Sequence, residues 1–224
     1  VAPGSSALNL AYGLSKLGHQ VSIFGDCAQD AIGRACLRDI QQAGIDASRM
    51  RRTLPVTYTA FVLAEPEAPR RTIFSNPAPP REEKVDWIKL MGDCQSDFFG
   101  MLAPALDTLE ETESYCRLYA WAKGLGMKTF LEPCEDAGRL NPRLLARLLP
   151  FVDIFLPGIK ELPLATGQED VDSALRYLQA LGISMTAVKL GAKGCRICAG
   201  NEQLFSPGFA VPVRDLTGAG DGFA

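Results

Sequence analysis

The sequence predicts an α/β protein with a parallel sheet covered by helices on both faces. Two observations carry this prediction. The second half of the chain alternates helix-period and strand-like segments three times in series. Its strands, such as Ile154-Phe-Leu156, are apolar along their whole length, as burial on both faces requires. A third observation qualifies the picture: a β-rich stretch, 53–75, interrupts the alternation and reads as a small sheet beside the main one.

The elements follow in order. Residues 6–17 place Leu10, Leu14 and Leu17 at helical spacing, and Gly18 closes that helix. Val21–Phe24 reads as a strand, and 30–43 as a helix ending at Gly44. The short basic run Arg49-Met-Arg-Arg52 reads as a solvated loop. Segment 56–64 is rich in β-branched and aromatic residues. Pro66 and Pro69 mark a turn, Arg71–Phe74 a returning strand, and Asn76–Pro80 a loop. Helix 106–123 then leads to the strand Lys128–Leu131, and helix 142–149 to Val152–Leu156. Helix 171–181, with Val171, Ala174, Leu175, Leu178 and Leu181 on one face, leads to Met185–Leu190. Cys195–Ala199 and Gln203–Phe205 suggest a hairpin around Gly200-Asn201.

Composition excludes several classes. The 224 residues are 47% hydrophobic and 22% charged, ordinary for a globular protein, with a net charge of −3. No basic block supports a nucleic-acid or anionic-membrane partner, and no apolar run reaches bilayer length. The first residues show neither a basic n-region nor an apolar h-region, so no signal peptide is expected. The seven cysteines are odd in number and irregular in spacing, which fits reduced thiols in a cytoplasmic protein. Cys195 and Cys198 read as two buried strand cysteines, since no second pair or nearby His completes a zinc site. The single histidine, His19, sits in a polar turn and reads as surface. Glu110, Glu111 and Glu113 read as a solvated helix face, Trp87 and Trp121 as packing residues.

The chemistry concentrates in Asp215-Leu-Thr217-Gly218-Ala219-Gly220-Asp221. Glycines let a backbone approach a ligand closely, and their N–H groups at a helix start can face an anion. A carboxylate beside such a site can take a proton from an attacking hydroxyl. No Gly-x-x-x-x-Gly-Lys-Ser/Thr occurs, so this is not a P-loop protein. The cluster Gly218, Gly220, Gly222 falls short of a dinucleotide fingerprint, whose third glycine would stand at Phe223. By spacing alone, a plain strand-to-helix turn and an anion site both remain open.

Asp215-x-Thr217-Gly-Ala-Gly-Asp221 resembles the C-terminal signature of the PfkB/ribokinase family of sugar kinases. Three further segments match in the family's order. Gly4-Ser-Ser-Ala-Leu-Asn9-Leu-Ala11 with Leu17-Gly18 is similar to the N-terminal signature. Leu156-Pro-Gly158-Ile-Lys-Glu161 stands where the family has Asn-x-x-Glu. Leu190-Gly191-Ala-Lys-Gly194 resembles its nucleotide-loop segment. The resemblance spans the chain. It implies a ribokinase-like three-layer α/β/α sandwich with a mostly parallel central sheet, read as one kinase domain over 1–224 with 53–77 as a small β lid.

The resemblance also implies roles. Asp221 is expected as the general base, and Gly218, Ala219 and Gly220 as the anion hole. Gly4, Ser5 and Asn9 match sugar-contacting positions. Leu190, Gly191, Gly194 and Thr217 fall in the ATP-binding segments, and Lys189 lies beside them, where it reads equally as a charged strand end or as a phosphate contact. Glu161 matches a glutamate that orders Mg2+ through water, and Asp215 with Thr217 match a monovalent-cation site, K+ in many members. A dimer through the lid is a family expectation. The departures are Ser5 for a glycine, Gly158 for the Asn of Asn-x-x-Glu, and Glu132-Pro-Cys134 for Asp-Pro-Asn. Whole members also carry an earlier strand and later helices, so the chain by itself is expected to be inactive or nearly so.

The reading that follows is an ATP-dependent kinase of a small sugar or sugar acid. Gly4–Asn9 lacks the Lys that would suit a phosphorylated substrate. A nucleoside kinase of the same family, with Tyr58 or Phe61 stacking on a base, is the alternative. A non-catalytic sugar- or nucleotide-binding member is a second, and a dinucleotide oxidoreductase is disfavoured by Phe223.

Overall fold

The computed structural model describes residues 3–64, 71–76, 85–133, 140–213 and 216–224. Asp215, Cys134 and the expected turn at Pro66 and Pro69 lie outside the described residues. The chain divides into two compact units, Val1–Met91 with Val211–Gly222, and Gly92–Ala210 with Phe223–Ala224.

The first unit opens with helix α1 (Ser6–Lys16), strand β1 (Ser22–Ala28), helix α2 (Ala31–Gln42) and strand β2 (Asp46–Leu54). β1 and β2 pair in parallel, which the intervening helix α2 makes possible. Ala11, Ile40, Ile45 and Ala47 form the buried core, with Leu8, Tyr12, Ile23, Leu37 and Met50 packed against it. Gly33 is required where α2 meets β1, since a Cβ there would lie 2.3 Å from the carbonyl oxygen of Ala28.

The basic run at 49–52 is not the solvated loop expected from the sequence. It is the middle of β2, and Arg51 pairs with Asp26 of β1 at 2.6 Å, with the Asp26 side chain only 3% exposed. The segment Asp-Ala-Ser-Arg-Met-Arg-Arg lacks apolar alternation, so strand pairing and an ion pair, not a hydrophobic face, define it.

Strands β3 (Ala60–Ala64) and β4 (Arg71–Ser75) form a separate antiparallel ribbon. Phe61 opposes Phe74 and Val62 opposes Ile73; all four are exposed, so both faces of the ribbon present apolar groups. Its base is tied down by polar contacts. Asp30, the N-cap of α2, accepts from the Gly33 amide at 2.7 Å and from the Thr57 amide and hydroxyl at 2.8 and 2.6 Å. Asn76 accepts from the Thr59 amide at 2.6 Å. Hydrogen bonds from the Thr57 hydroxyl, then from the Gly33 and Thr57 amides, hold the Asp30 carboxyl down at about 2. Helix α3 (Trp87–Met91) ends the segment, with Trp87 against Phe24 at 6.1 Å.

The second unit holds a six-stranded sheet in the order β10-β9-β8-β7-β6-β5. Strands β5 (Phe98–Leu102), β6 (Lys128–Glu132), β7 (Ile154–Phe155) and β8 (Met185–Lys189) run parallel. The antiparallel strands β9 (Cys195–Ala199) and β10 (Glu202–Ser206) form the expected hairpin at one edge. Helices α4 (Leu109–Gly124), α5 (Pro142–Leu148), α6 (Glu161–Thr166) and α7 (Val171–Ala180) supply the connections. Thr108 caps α4: its hydroxyl accepts from the Glu111 amide at 3.2 Å and donates to the Glu111 carboxylate at 3.1 Å.

The core of this unit is closed by Tyr119 of α4, which is fully buried. Its hydroxyl donates to the Phe130 carbonyl at 2.8 Å and accepts from the Met101 amide at 3.2 Å, so one phenol bridges β6 and β5. Burial pushes its ionisation far up, so it acts only as a neutral strut. Cys195 and Cys198 are buried on β9, as expected, and His19 in the first unit is exposed.

Candidate functional site

In the first unit, Ser5 caps α1 by accepting from the Leu8 amide at 3.2 Å. The helix carries Asn9, whose amide donates to the Ser5 carbonyl at 2.9 Å. The last residues close a turn. The Ala219 amide donates to Leu216 at 3.2 Å, and the Gly222 amide donates to Gly218 at 2.8 Å in helical i, i+4 spacing. Gly218 sits at φ +75°, a left-handed conformation that glycine adopts without penalty.

These two ends of the sequence meet. Asn9 Nδ2 donates to Asp221 Oδ2 at 2.7 Å across 212 positions. Both side chains are half-buried. A Cβ on Gly218 would be in van der Waals contact with Asn9 Nδ2 at 3.4 Å and Asp221 Oδ2 at 3.8 Å, so its φ and not crowding calls for glycine. Gly4 lies beside the cap in open space. Of the three amides expected to face an anion, that of Ala219 points inward to Leu216, while those of Gly218 and Gly220 donate to no described residue. Thr217 is exposed in the same turn. Asp215, its expected partner in a monovalent-cation site, is outside the described residues.

Ser5 shows what its departure from glycine does. Its backbone lies at φ 148°, ψ 157°, a region essentially reserved for glycine. A non-glycine residue held there stores about 1–3 kcal/mol of strain.

In the second unit, the candidate residues gather at the carboxyl ends of the parallel strands, where open α/β sheets bind ligands. Lys189, the last residue of β8, donates to Glu132, the last residue of β6. The Lys189 side chain is 15% exposed and that of Glu132 is 3% exposed. Backbone bonds seat the loop after β7 against the same strand end: the Lys189 amide donates to Pro157, and the Ile159 amide to Lys189, both at 2.9 Å. Glu161 starts α6 and its carboxylate accepts from the Gly158 amide.

The segment Leu190–Gly194 is a tight loop, with the Leu190 amide donating to the Gly194 carbonyl at 2.8 Å. Gly194 has φ +96°, and a Cβ there would lie 2.0 Å from the Ser206 carbonyl oxygen. Gly208 faces it in the same way, 2.2 Å from the Ala192 carbonyl oxygen. Backbone thus packs on backbone, which explains the glycine at 194 without reference to a ligand. Gly191 takes φ +61° in open space, so its conformation, not its surroundings, calls for glycine.

The sequence reading missed both side-chain pairings. Asn9 and Asp221 were each expected at a site, but nothing in the spacing says that one donates to the other. Glu132 stood out only as a departure from Asp-Pro-Asn, and Lys189 only as a neighbour of the nucleotide segment. Among the described residues no group of three or more His, Cys, Asp or Glu side chains could hold a metal ion. None of their helices is long and apolar enough to cross a membrane.

Comparison with known proteins places the chain. A profile described as pfkB family carbohydrate kinase matches residues 1–224. The 2-dehydro-3-deoxygluconokinase of Bacillus subtilis is 27% identical, over 96% of this chain and 70% of that protein. The aminoimidazole riboside kinase of Salmonella typhimurium is 23% identical, over 99% of this chain and 71% of that protein. Among solved structures, the fructokinase from Vibrio cholerae O395 with bound fructose, ADP and calcium superposes with a TM-score of 0.80 at 23% identity. That match covers 98% of this chain and 73% of that one. It shows the ribokinase-like α/β fold.

Proposed function

The chain belongs to the pfkB family of carbohydrate kinases, and on that premise we propose that it phosphorylates a hydroxyl of an unphosphorylated sugar or sugar acid. ATP is the donor in an ATP-dependent kinase of this kind. The observation that carries the proposal is the contact between Asn9 and Asp221, which brings the N-terminal and C-terminal signatures to one place.

Asp221 takes the proton of the substrate hydroxyl. The hydroxyl oxygen forms a bond to the γ-phosphorus, the bond from that phosphorus to the β–γ bridging oxygen breaks, and ADP leaves with the electron pair. The amides of Gly218 and Gly220 face the charge that builds on the phosphoryl oxygens. The Ala219 amide joins them only by giving up its bond to Leu216. Gly4, Ser5 and Asn9 contact the sugar, and Leu190, Gly191 and Gly194 with Thr217 the nucleotide. Lys189 gives one N–H to Glu132 and, with three donors, can give another to a phosphate.

One carboxylate fits Mg2+ held mainly by waters and phosphates, and Glu161 is that carboxylate. Mg2+, when bound, neutralises charge on the transferring group. Asp215 and Thr217 are proposed for K+. Residues 1–224 are taken as one kinase domain, with the β3–β4 ribbon as its lid. The apolar groups on both faces of that ribbon suit substrate on one side and a second copy of the chain on the other. A monomer in sedimentation equilibrium would refute the dimer. The composition and charge support a cytoplasmic protein without nucleic-acid or membrane partners.

An unphosphorylated substrate is favoured because Gly4–Asn9 carries no Lys, and a sugar acid among such substrates because the Bacillus subtilis relative is named for one. Exposed Tyr58 and Phe61 keep a nucleoside as the second reading, in line with the name of the Salmonella relative. A panel of 2-dehydro-3-deoxygluconate, D-fructose, D-ribose and nucleosides, read as ADP release by the complete protein, separates the two. Asp221→Asn is expected to lower kcat by about 1,000-fold, within the range of a lost general base. Retained turnover in that variant would sink the base assignment. ATP binding without turnover across the panel would favour a non-catalytic member.

A further inference from the structure

We infer that Asn9 is a positioning residue for phosphoryl transfer: it holds Oδ2 of Asp221 and so makes Oδ1 the oxygen that accepts the substrate's proton. This rests on the kinase reading above and goes beyond a sugar contact for Asn9.

The orientation follows from chemistry. A carboxylate offers only acceptors, so an asparagine 2.7 Å from Asp221 Oδ2 must present its NH2 and not its carbonyl oxygen. Hydrogen bonds from a neutral donor to an ionised acceptor are short and strong, so this contact resists rotation of the Asp221 side chain. Both partners are anchored from behind. Asn9 sits in the first turn of α1, with its amide on the Ser5 carbonyl at 2.9 Å. The turn carrying Asp221 is fixed by the Gly222 amide on the Gly218 carbonyl at 2.8 Å. Gly218 lies alongside, where a Cβ would be in van der Waals contact with the Asn9 amide at 3.4 Å.

Among the described residues only Asn9 donates to this carboxylate, and only to Oδ2. Oδ1 is left to take the proton as the hydroxyl oxygen bonds to phosphorus and ADP departs. The Oδ1 and second N–H of Asn9 remain for sugar hydroxyls, so a ligand role and a positioning role coexist in the static geometry. Kinetics separates them. A lost sugar contact raises KM, whereas a misaimed base lowers kcat at saturating substrate.

The test uses the complete protein with 2-dehydro-3-deoxygluconate and D-fructose as probes. Asn9→Ala is expected to lower kcat by about 100-fold, the scale of a small misplacement of a reacting group, a larger change than the rise in sugar KM from its lost sugar contact. In the Asp221→Asn background the same substitution should cost nothing further, because there is no base left to aim. Asn9→Ser, which keeps a donor in a smaller side chain, should lose less kcat than Asn9→Ala and guards against misfolding. A rise in KM with kcat unchanged, or the same loss in both backgrounds, would overturn the positioning role. Absence of ADP release by the unsubstituted protein with every substrate in the panel would instead overturn the kinase reading itself.

Discussion

The two candidate clusters carry their unfavourable energy in different forms. Around Asp221 it lies in the backbone of Ser5, held at φ 148°. At the end of the parallel sheet it lies in desolvated charge: Glu132 is 3% exposed and Lys189 15%. The first arrangement leaves Asn9 and Asp221 half-buried, with the Gly218 and Gly220 amides donating to no described residue. The second closes two opposite charges on each other behind strands β6, β7 and β8. Strain of the first kind persists only because the surrounding structure holds the residue there. A pair of the second kind is stable only while both partners remain.

The largest effect expected from this contrast is at Lys189. Lys189→Met removes the cation and leaves a buried carboxylate without its counter-ion, which costs about 3 kcal/mol or more. Urea denaturation of the complete protein should show it. The double variant Glu132→Gln/Lys189→Met should recover most of the loss, because two neutral groups of similar volume need no ion pair. The contrast breaks if Lys189→Met unfolds at the wild-type urea concentration while KM for ATP rises. Lys189 would then serve the nucleotide and not Glu132.

How much of this could be read from the chain follows the same division. Backbone requirements leave marks in the sequence, since glycines at 191, 194, 218 and 220 announce turns before any fold is known. The strand–helix alternation from α4 to β8 was legible for the same reason: apolar periodicity is local. Strand β5 has no counterpart in the sequence reading, and the basic run 49–52 of β2 reads as a loop because its stabilising partner, Asp26, lies on another strand. The Lys189–Glu132 pair joins residues 57 positions apart, and no local pattern encodes which carboxylate a lysine will meet. The Asn9–Asp221 contact was half legible. Each residue belonged to a motif, while their pairing needed the fold.

Ser5 offers a smaller and opposite test. Ser5→Gly should relieve about 1–3 kcal/mol of strain. Against that stand a few tenths of a kcal/mol for the lost cap and about 0.5–1 kcal/mol for ordering a glycine. The net expectation is a stabilisation of about 1 kcal/mol, read as a higher melting temperature. A lower melting temperature would mean that the Ser5 cap outweighs the strain, and that this cluster is not held against its backbone preference.

The smallest effect belongs to a half-buried carboxylate held by hydrogen bonds and not by a counter-ion. Asp30 accepts from the Thr57 hydroxyl, the Gly33 amide and the Thr57 amide, which together lower its carboxyl from 3.8 to about 2. A depressed carboxyl stabilises the fold above its unfolded value and loses that contribution as pH falls through the folded one. The relevant window therefore runs from about pH 4 down to about pH 2. Asp30→Asn keeps a good N-cap residue but turns an amide NH2 toward groups that are themselves donors. The variant should melt below wild type at pH 7, and the gap should narrow steadily across that window. Added salt should leave most of the gap at pH 7 intact, because hydrogen bonds and not distant charges dominate the shift. A gap of constant size from pH 6 to pH 2 would show that the Thr57 contacts do not depend on the ionised carboxylate, and that the base of the ribbon is held by the neutral Asn76–Thr59 bonds alone.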